Sequence, residues 1–70
     1  MDLRRAIEGV EYTIRSVDTG DEELESFLFS LGCYSGEKIT VIAHKKGGCV
    51  VPIKDSRYSI DTQLAEAISI

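Results

Sequence analysis

Leu24-Glu25-Ser26-Phe27-Leu28-Phe29-Ser30-Leu31-Gly32-Cys33-Tyr34-Ser35-Gly36 is the stretch on which the fold turns. Leu24, Phe27, Leu28 and Leu31 fall at i, i+3, i+4 and i+7, a spacing that predicts one apolar stripe on a short amphipathic helix. Thr19 with Glu22 three residues on reads as a capping box at its start, and Asp21, Glu22 and Glu23 suit the positive end of the helix dipole. Gly32 stands where a left-handed residue ends a helix. Cys33-Tyr34-Ser35-Gly36 then turns the chain towards a strand around Ile39 and Val41. One short helix set among strands in a chain of 70 residues points to a small barrel and not to an enzyme.

The rest of the chain fits that frame. Leu3, Ala6 and Ile7 make a short helical turn or an irregular lead-in before Gly9. Val10, Tyr12 and Ile14 alternate with Glu11, Thr13 and Arg15, which predicts a half-buried strand to about Val17. Asp18-Thr19-Gly20 is turn chemistry. Lys38 to Ala43 is rich in β-branched residues and predicts a second strand. Lys45-Lys46-Gly47-Gly48 reads as a hairpin turn, because glycine accepts the positive φ of tight hairpins. Cys49 to Lys54 is the returning strand, with Pro52 requiring an edge or a bulge. Asp55-Ser56 is a further turn, Arg57 to Ile60 a third short partner, and Asp61 to Glu66 one turn of helix. Ala67 to Ile70 supplies a last strand with Ile68 and Ile70 facing the same way. The order predicts a mainly β fold, a small SH3-like barrel of about five strands with one short α-helix between the first and second. Residues 1–70 form a single domain. An OB-fold would show a longer first hairpin and its helix between the third and fourth strands.

Composition narrows the function. A chain this small buries only about 60% of its unfolded surface, which leaves no depth for a buried substrate cavity. The net charge of −4 speaks against general nucleic-acid binding, which needs a cationic surface. The charge is uneven: Lys38 to Arg57 sums to +4, leaving −8 for everything else, much of it on Asp18, Asp21, Glu22, Glu23 and Glu25. Both solvated faces and a docking surface with opposed poles are compatible with that split. No apolar run approaches the roughly 20 residues of a membrane span, and Met1-Asp2-Leu3-Arg4-Arg5 lacks the apolar segment of a secretory signal. A cytoplasmic protein without membrane insertion is expected, with Cys33 and Cys49 as free thiols.

The ordered set of motifs resembles the FeoA family, the small cytoplasmic accessory proteins of bacterial ferrous-iron uptake. Gly9-Val10-Glu11-Tyr12-Thr13-Ile14 is similar to that family's glycine-led first strand. Leu28-Phe29-Ser30-Leu31-Gly32-Cys33-Tyr34-Ser35-Gly36 is similar to its helix end, usually Leu-x-x-Leu-Gly-Leu-x-Pro-Gly. Ile39-Thr40-Val41 is similar to its next strand and Gly47-Gly48 to the hairpin before its third. Ser59-Ile60-Asp61, Ala65 and Ile68-Ser69-Ile70 match its closing segment. Ser35 replaces a common proline, Cys33 a common leucine, and Phe27 a residue that is often basic. The resemblance implies an accessory or regulatory adaptor that acts by contact with the cytoplasmic region of a FeoB-type membrane transporter. It also implies transition-metal binding at the level of the family. The alternative is a free-standing metal-sensing or metal-carrying domain, related to the barrel that closes iron-dependent repressors but without their DNA-binding domain.

The residues offer little chemistry of their own. His44, beside Lys45 and Lys46, has no orienting carboxylate or nucleophile next to it and is ordinary as a solvated turn residue. Ser26, Ser30 and Ser35 lack a nucleophile-elbow context. Gly47-Gly48 leads into a strand and so is not a phosphate loop. No catalytic residue and no cofactor is expected. Cys33, His44 and Cys49 lack metal-ligand spacing, and Asp21, Glu22 and Glu25 are at home at a helix start, so no metal site is assigned. A partner surface remains. Phe29 lies nearly opposite the apolar stripe and should project outward, Tyr34 follows it in a turn, and Lys45 and Lys46 offer a charged rim. Tyr58 is equally compatible with the core. A groove for proline-rich peptides would need a closer set of aromatics than Tyr12, Tyr34, Tyr58, Phe27 and Phe29 provide.

Overall fold

The computed structural model describes residues 1–53 and 55–70; Lys54, the last position of the strand expected from Cys49, lies outside the described residues. A 3-10 turn at Leu3–Arg5, capped by the Asp2 carboxylate on the Arg4 amide, precedes the first strand. The alternating segment then gives two strands in place of one: β1 (Glu11–Thr13) and β2 (Ser16–Val17). The break at Ile14 and Arg15 is where the backbone changes partner. The Ile14 amide still bonds the Glu37 carbonyl, on the side of β3 (Lys38–Thr40), whereas the Arg15 amide bonds the Ser69 carbonyl at the carboxyl end.

Between β2 and β3 runs α1 (Glu22–Ser30). Its cap is Asp21, whose carboxylate accepts from the amides of Glu23 and Leu24 at 2.9 and 3.4 Å. The expected Thr19–Glu22 box is therefore displaced: the chain stays extended through Asp21, and Glu25, not Glu22, reaches back to the Thr19 amide at 3.3 Å. At the far end Gly32 has φ +89°, as expected of the helix stop. The Gly32 amide bonds the Phe29 carbonyl at 3.0 Å and the Cys33 amide bonds the Leu28 carbonyl at 2.8 Å, the two bonds of a Schellman motif.

The hairpin of β4 (Ala43–Lys45) and β5 (Gly48–Ile53) turns through Lys46 and Gly47, with Lys45 opposite Gly48. Gly48 is obligatory, because a Cβ there would lie 2.0 Å from the Ile60 carbonyl oxygen. β6 (Ser56–Asp61) returns beside β5 over its whole length. Asp61 ends that strand and caps α2 (Thr62–Ala67), accepting from the Leu64 amide at 2.7 Å, and β7 (Ile68–Ser69) comes next.

The seven strands pair antiparallel in three small sheets, β1–β3, β2–β7 and β4–β5–β6. Single hydrogen bonds, such as the Ile42 amide to the Val50 carbonyl at 2.8 Å, carry the path from one sheet to the next. Among the described residues no ladder joins β6 to β2 or β7, so the closed barrel of five strands is not what is found. The turn of α2 leads the chain away from β6 before β7 begins. Pro52 satisfies its constraint in this arrangement: β4 pairs β5 only as far as Val50, so the missing N–H falls where β5 has no partner on that side.

Leu3, Ile14, Leu28, Val41, Val51 and Ile68 are fully buried at the centre, with Ala6, Cys33, Ile39, Cys49, Ile53, Ile60 and Ala65 around them. The helix stripe is only half used. Leu28 is buried and Leu31 partly so, but Leu24 is 41% exposed and Phe27 51%. The nine-residue helix is seated through Leu28 and part of Leu31, and the Leu24 and Phe27 side chains beside them face solvent. Val10 is likewise exposed, while Tyr12 packs on the core and its hydroxyl accepts from the Ile7 amide at 3.0 Å.

Candidate functional site

The exposed aromatics are placed by the helix end. Phe29 occupies the last turn of α1, and the Schellman turn through Gly32 folds the chain back so that Tyr34 meets it. The two rings stand 4.6 Å apart between centroids and are tilted by 31°. Phe29 is 63% exposed and Tyr34 37%, so the pair is a surface feature that contributes nothing to the enclosed core. A side-chain hydrogen bond to the Glu37 carboxylate pushes the Tyr34 hydroxyl above its ordinary range.

Lys45 and Lys46 are exposed at the β4–β5 turn, as the sequence suggests, but they lie along a different surface. They line a shallow groove of about 280 Å³ with Asp61 and Leu64, and those two residues also line a second groove of about 230 Å³ that reaches Asp21 and Leu24 on α1. The lysines are thus continuous with the Leu24 side of the helix. Neither groove is lined by Phe29 or Tyr34. Leu24 and Phe27 are exposed residues that periodicity did not disclose, and Leu64, which packs partly on the core, also lines both grooves. The signal was the breadth of the apolar arc: with Phe29 included, α1 carries large apolar groups on both sides of Leu28, more than one seat can cover.

The titratable candidates hold structure together. The His44 ring Nε2 donates to the Ala6 carbonyl at 2.6 Å and its backbone amide donates to Glu8 Oε2 at 2.6 Å. His44 is exposed, yet it pins the segment after the first turn to the outer edge of β4. That role is structural rather than that of a free turn residue. Cys49 sits directly across from His44 in the ladder, and the two share a cleft of about 180 Å³ with Arg4 and Lys45. The cations there oppose a metal ion, and Arg4 is held by Asp2 at 2.9 Å. Burial raises the pKa of both Cys33 and Cys49, which keeps them as thiols, and both are free. Among the described residues no three His, Cys, Asp or Glu side chains gather where they could hold a metal.

No helix among the described residues is long and apolar enough to cross a membrane. The family model for the FeoA domain matches residues 1–70. Neither the curated proteins nor the solved structures give a match.

Proposed function

This chain belongs to the FeoA family, and on that premise we propose that it is an accessory adaptor of ferrous-iron uptake, acting in the cytoplasm by contact with the cytoplasmic region of a FeoB-type transporter. The family points to ferrous-iron transport; the observation that supports the contact is the stacked, exposed Phe29–Tyr34 pair on a helix seated through Leu28. Exposed aromatics near one another supply apolar area at little entropic cost, which is what interface anchors require. Lys45 and Lys46 serve as a separate cationic rim that speeds encounter with an acidic surface. On this reading the three sheets are an SH3-like barrel opened at β6, and the chain performs no catalysis. The carrier alternative is the weaker of the two, since the His44–Cys49 pair is flanked by Arg4 and Lys45.

The test is a pull-down with the transporter's cytoplasmic domain beside a thermal melt. Phe29→Ala should leave the melt nearly unchanged and weaken capture. Lys45→Glu with Lys46→Glu should lower the association rate in a salt-sensitive way. Unchanged capture by Phe29→Ala would move the anchor to Leu24 and Phe27, on the other side of the helix.

A further inference from the structure

The two edges of the β4–β5–β6 sheet are unlike. The β4 edge is covered: Glu8 takes the His44 amide, Ala6 takes the His44 ring, and the Gly9 amide bonds the Val41 carbonyl at 2.9 Å. The β6 edge pairs with nothing among the described residues, and Ser56, Arg57, Tyr58, Ser59 and Asp61 are all exposed. A bare row of amides and carbonyls is a template for another strand.

The register says which groups are free. The Thr62 amide bonds the Gly47 carbonyl at 3.0 Å, directly opposite it in the same ladder that pairs Gly48 with Asp61. In an antiparallel ladder hydrogen-bonded pairs alternate with non-hydrogen-bonded ones. The bonded pairs are therefore Cys49 with Ile60, Val51 with Tyr58 and Ile53 with Ser56. Arg57 and Ser59 consequently turn both amide and carbonyl outward, away from β5, and Asp61 turns its amide outward while its carbonyl, as the cap of α2, accepts the first bond of that helix.

We infer that β6 is an interface for a second copy of this chain, paired antiparallel about Ser59. Setting Ser59 against Ser59 of the other copy brings Arg57 opposite Asp61 on both sides of the axis, so each outward-facing residue meets an outward-facing partner. The Ser59 pair exchanges both ladder bonds, and each Arg57–Asp61 pair makes one, from the Asp61 amide to the Arg57 carbonyl. The same register sets Tyr58, 37% exposed, across from Ile60 of the other copy on the opposite face of the sheet. Among the described residues Arg57 has no ion-pair partner, and Asp61 uses one oxygen to cap α2 and keeps the other. The charges that would repel a shifted register neutralise one another in this one. That is the sign of a self-complementary edge, and a symmetric pairing of this kind closes as a dimer without propagating.

The experiment is sedimentation velocity over micromolar to millimolar protein, with amide hydrogen exchange read at Ser59 and Asp61. The expected result is a concentration-dependent dimer in which those two amides gain protection as the dimer fills. Ser59→Pro removes the central outward donor while leaving the β5 ladder intact, and should weaken the dimer at least about tenfold with the melt unchanged. Arg57→Glu, a change at an exposed position, sets like charges across the interface and should weaken it most at low salt; it decides the matter if Ser59→Pro fails to fold. A monomer at millimolar concentration, or a dimer that neither variant weakens, overturns the proposal. Protection at β6 only when a different protein is added would overturn it too, and assign the edge to that protein instead.

Discussion

Helix α1 and strand β5 bury themselves in opposite ways. Of the nine residues of α1 only Leu28 is buried, while β5 buries Cys49, Val51 and Ile53 within six. The strand is held by a partner along its whole length and is bound to the core at alternate positions. The helix is held at its two ends, by the Asp21 cap and the Schellman turn, and by one leucine between. The division separates duties: the β5–β6 hairpin supplies stability, and the helix supplies a surface that can change without loss of the fold.

The severest test of that division is Gly48→Ala. A Cβ placed 2.0 Å from the Ile60 carbonyl forces β5 and β6 apart, at a cost on the order of 3 kcal/mol or more. In a domain this small, most of the molecules should be unfolded by circular dichroism at room temperature. A folded variant with an unchanged urea midpoint would mean that the hairpin is not what holds the fold. Leu28→Ala comes next. Deleting a fully buried leucine costs about 3 kcal/mol, and the loss should appear as a lower urea midpoint together with loss of α1 amide protection. If α1 melts away while the sheets keep their protection, the helix is an independent appendage and the comparison sharpens. The smallest expected change is Gly32→Val, which forces a β-branched residue to φ +89° with open space around it; backbone strain alone gives about 1–2 kcal/mol. A thermal midpoint lowered by only a few degrees, with the helix retained, would show strain without steric conflict.

What the sequence disclosed rested on local rules. Gly32 as the helix stop, a hairpin turn within Lys45-Lys46-Gly47-Gly48, Pro52 at an unpaired position and the helical turn after Asp61 each depend on a few neighbouring residues. What it withheld depended on distant ones. That the Val10–Val17 strand would change partner at Ile14 was set by Glu37 and Ser69, far along the chain. The inward stripe of Leu24 and Phe27 failed because periodicity reports which residues share a face, not how much surface exists to cover it. Phe29 was legible as exposed from its angle on the helix. Its contact with Tyr34 needed the Schellman turn to be built first. The lysines were legible as exposed, yet their separation from the aromatic pair is a property of the assembled sheets.

The carboxyl-terminal pairing has a kinetic consequence. Val17 pairs with Ile68, Asp2 bridges Ser69, and the Ile70 amide bonds the Met1 carbonyl at 2.8 Å. These contacts close nearly the whole chain into one loop, and the entropy of that closure must be met before any of them is rewarded. The β5–β6 hairpin, whose partners are adjacent in sequence, is free to form early, whereas β2–β7 waits until both ends are present. The rate-limiting event of folding is thus expected at the seam between the two ends, where mutations should slow folding more than they hasten unfolding.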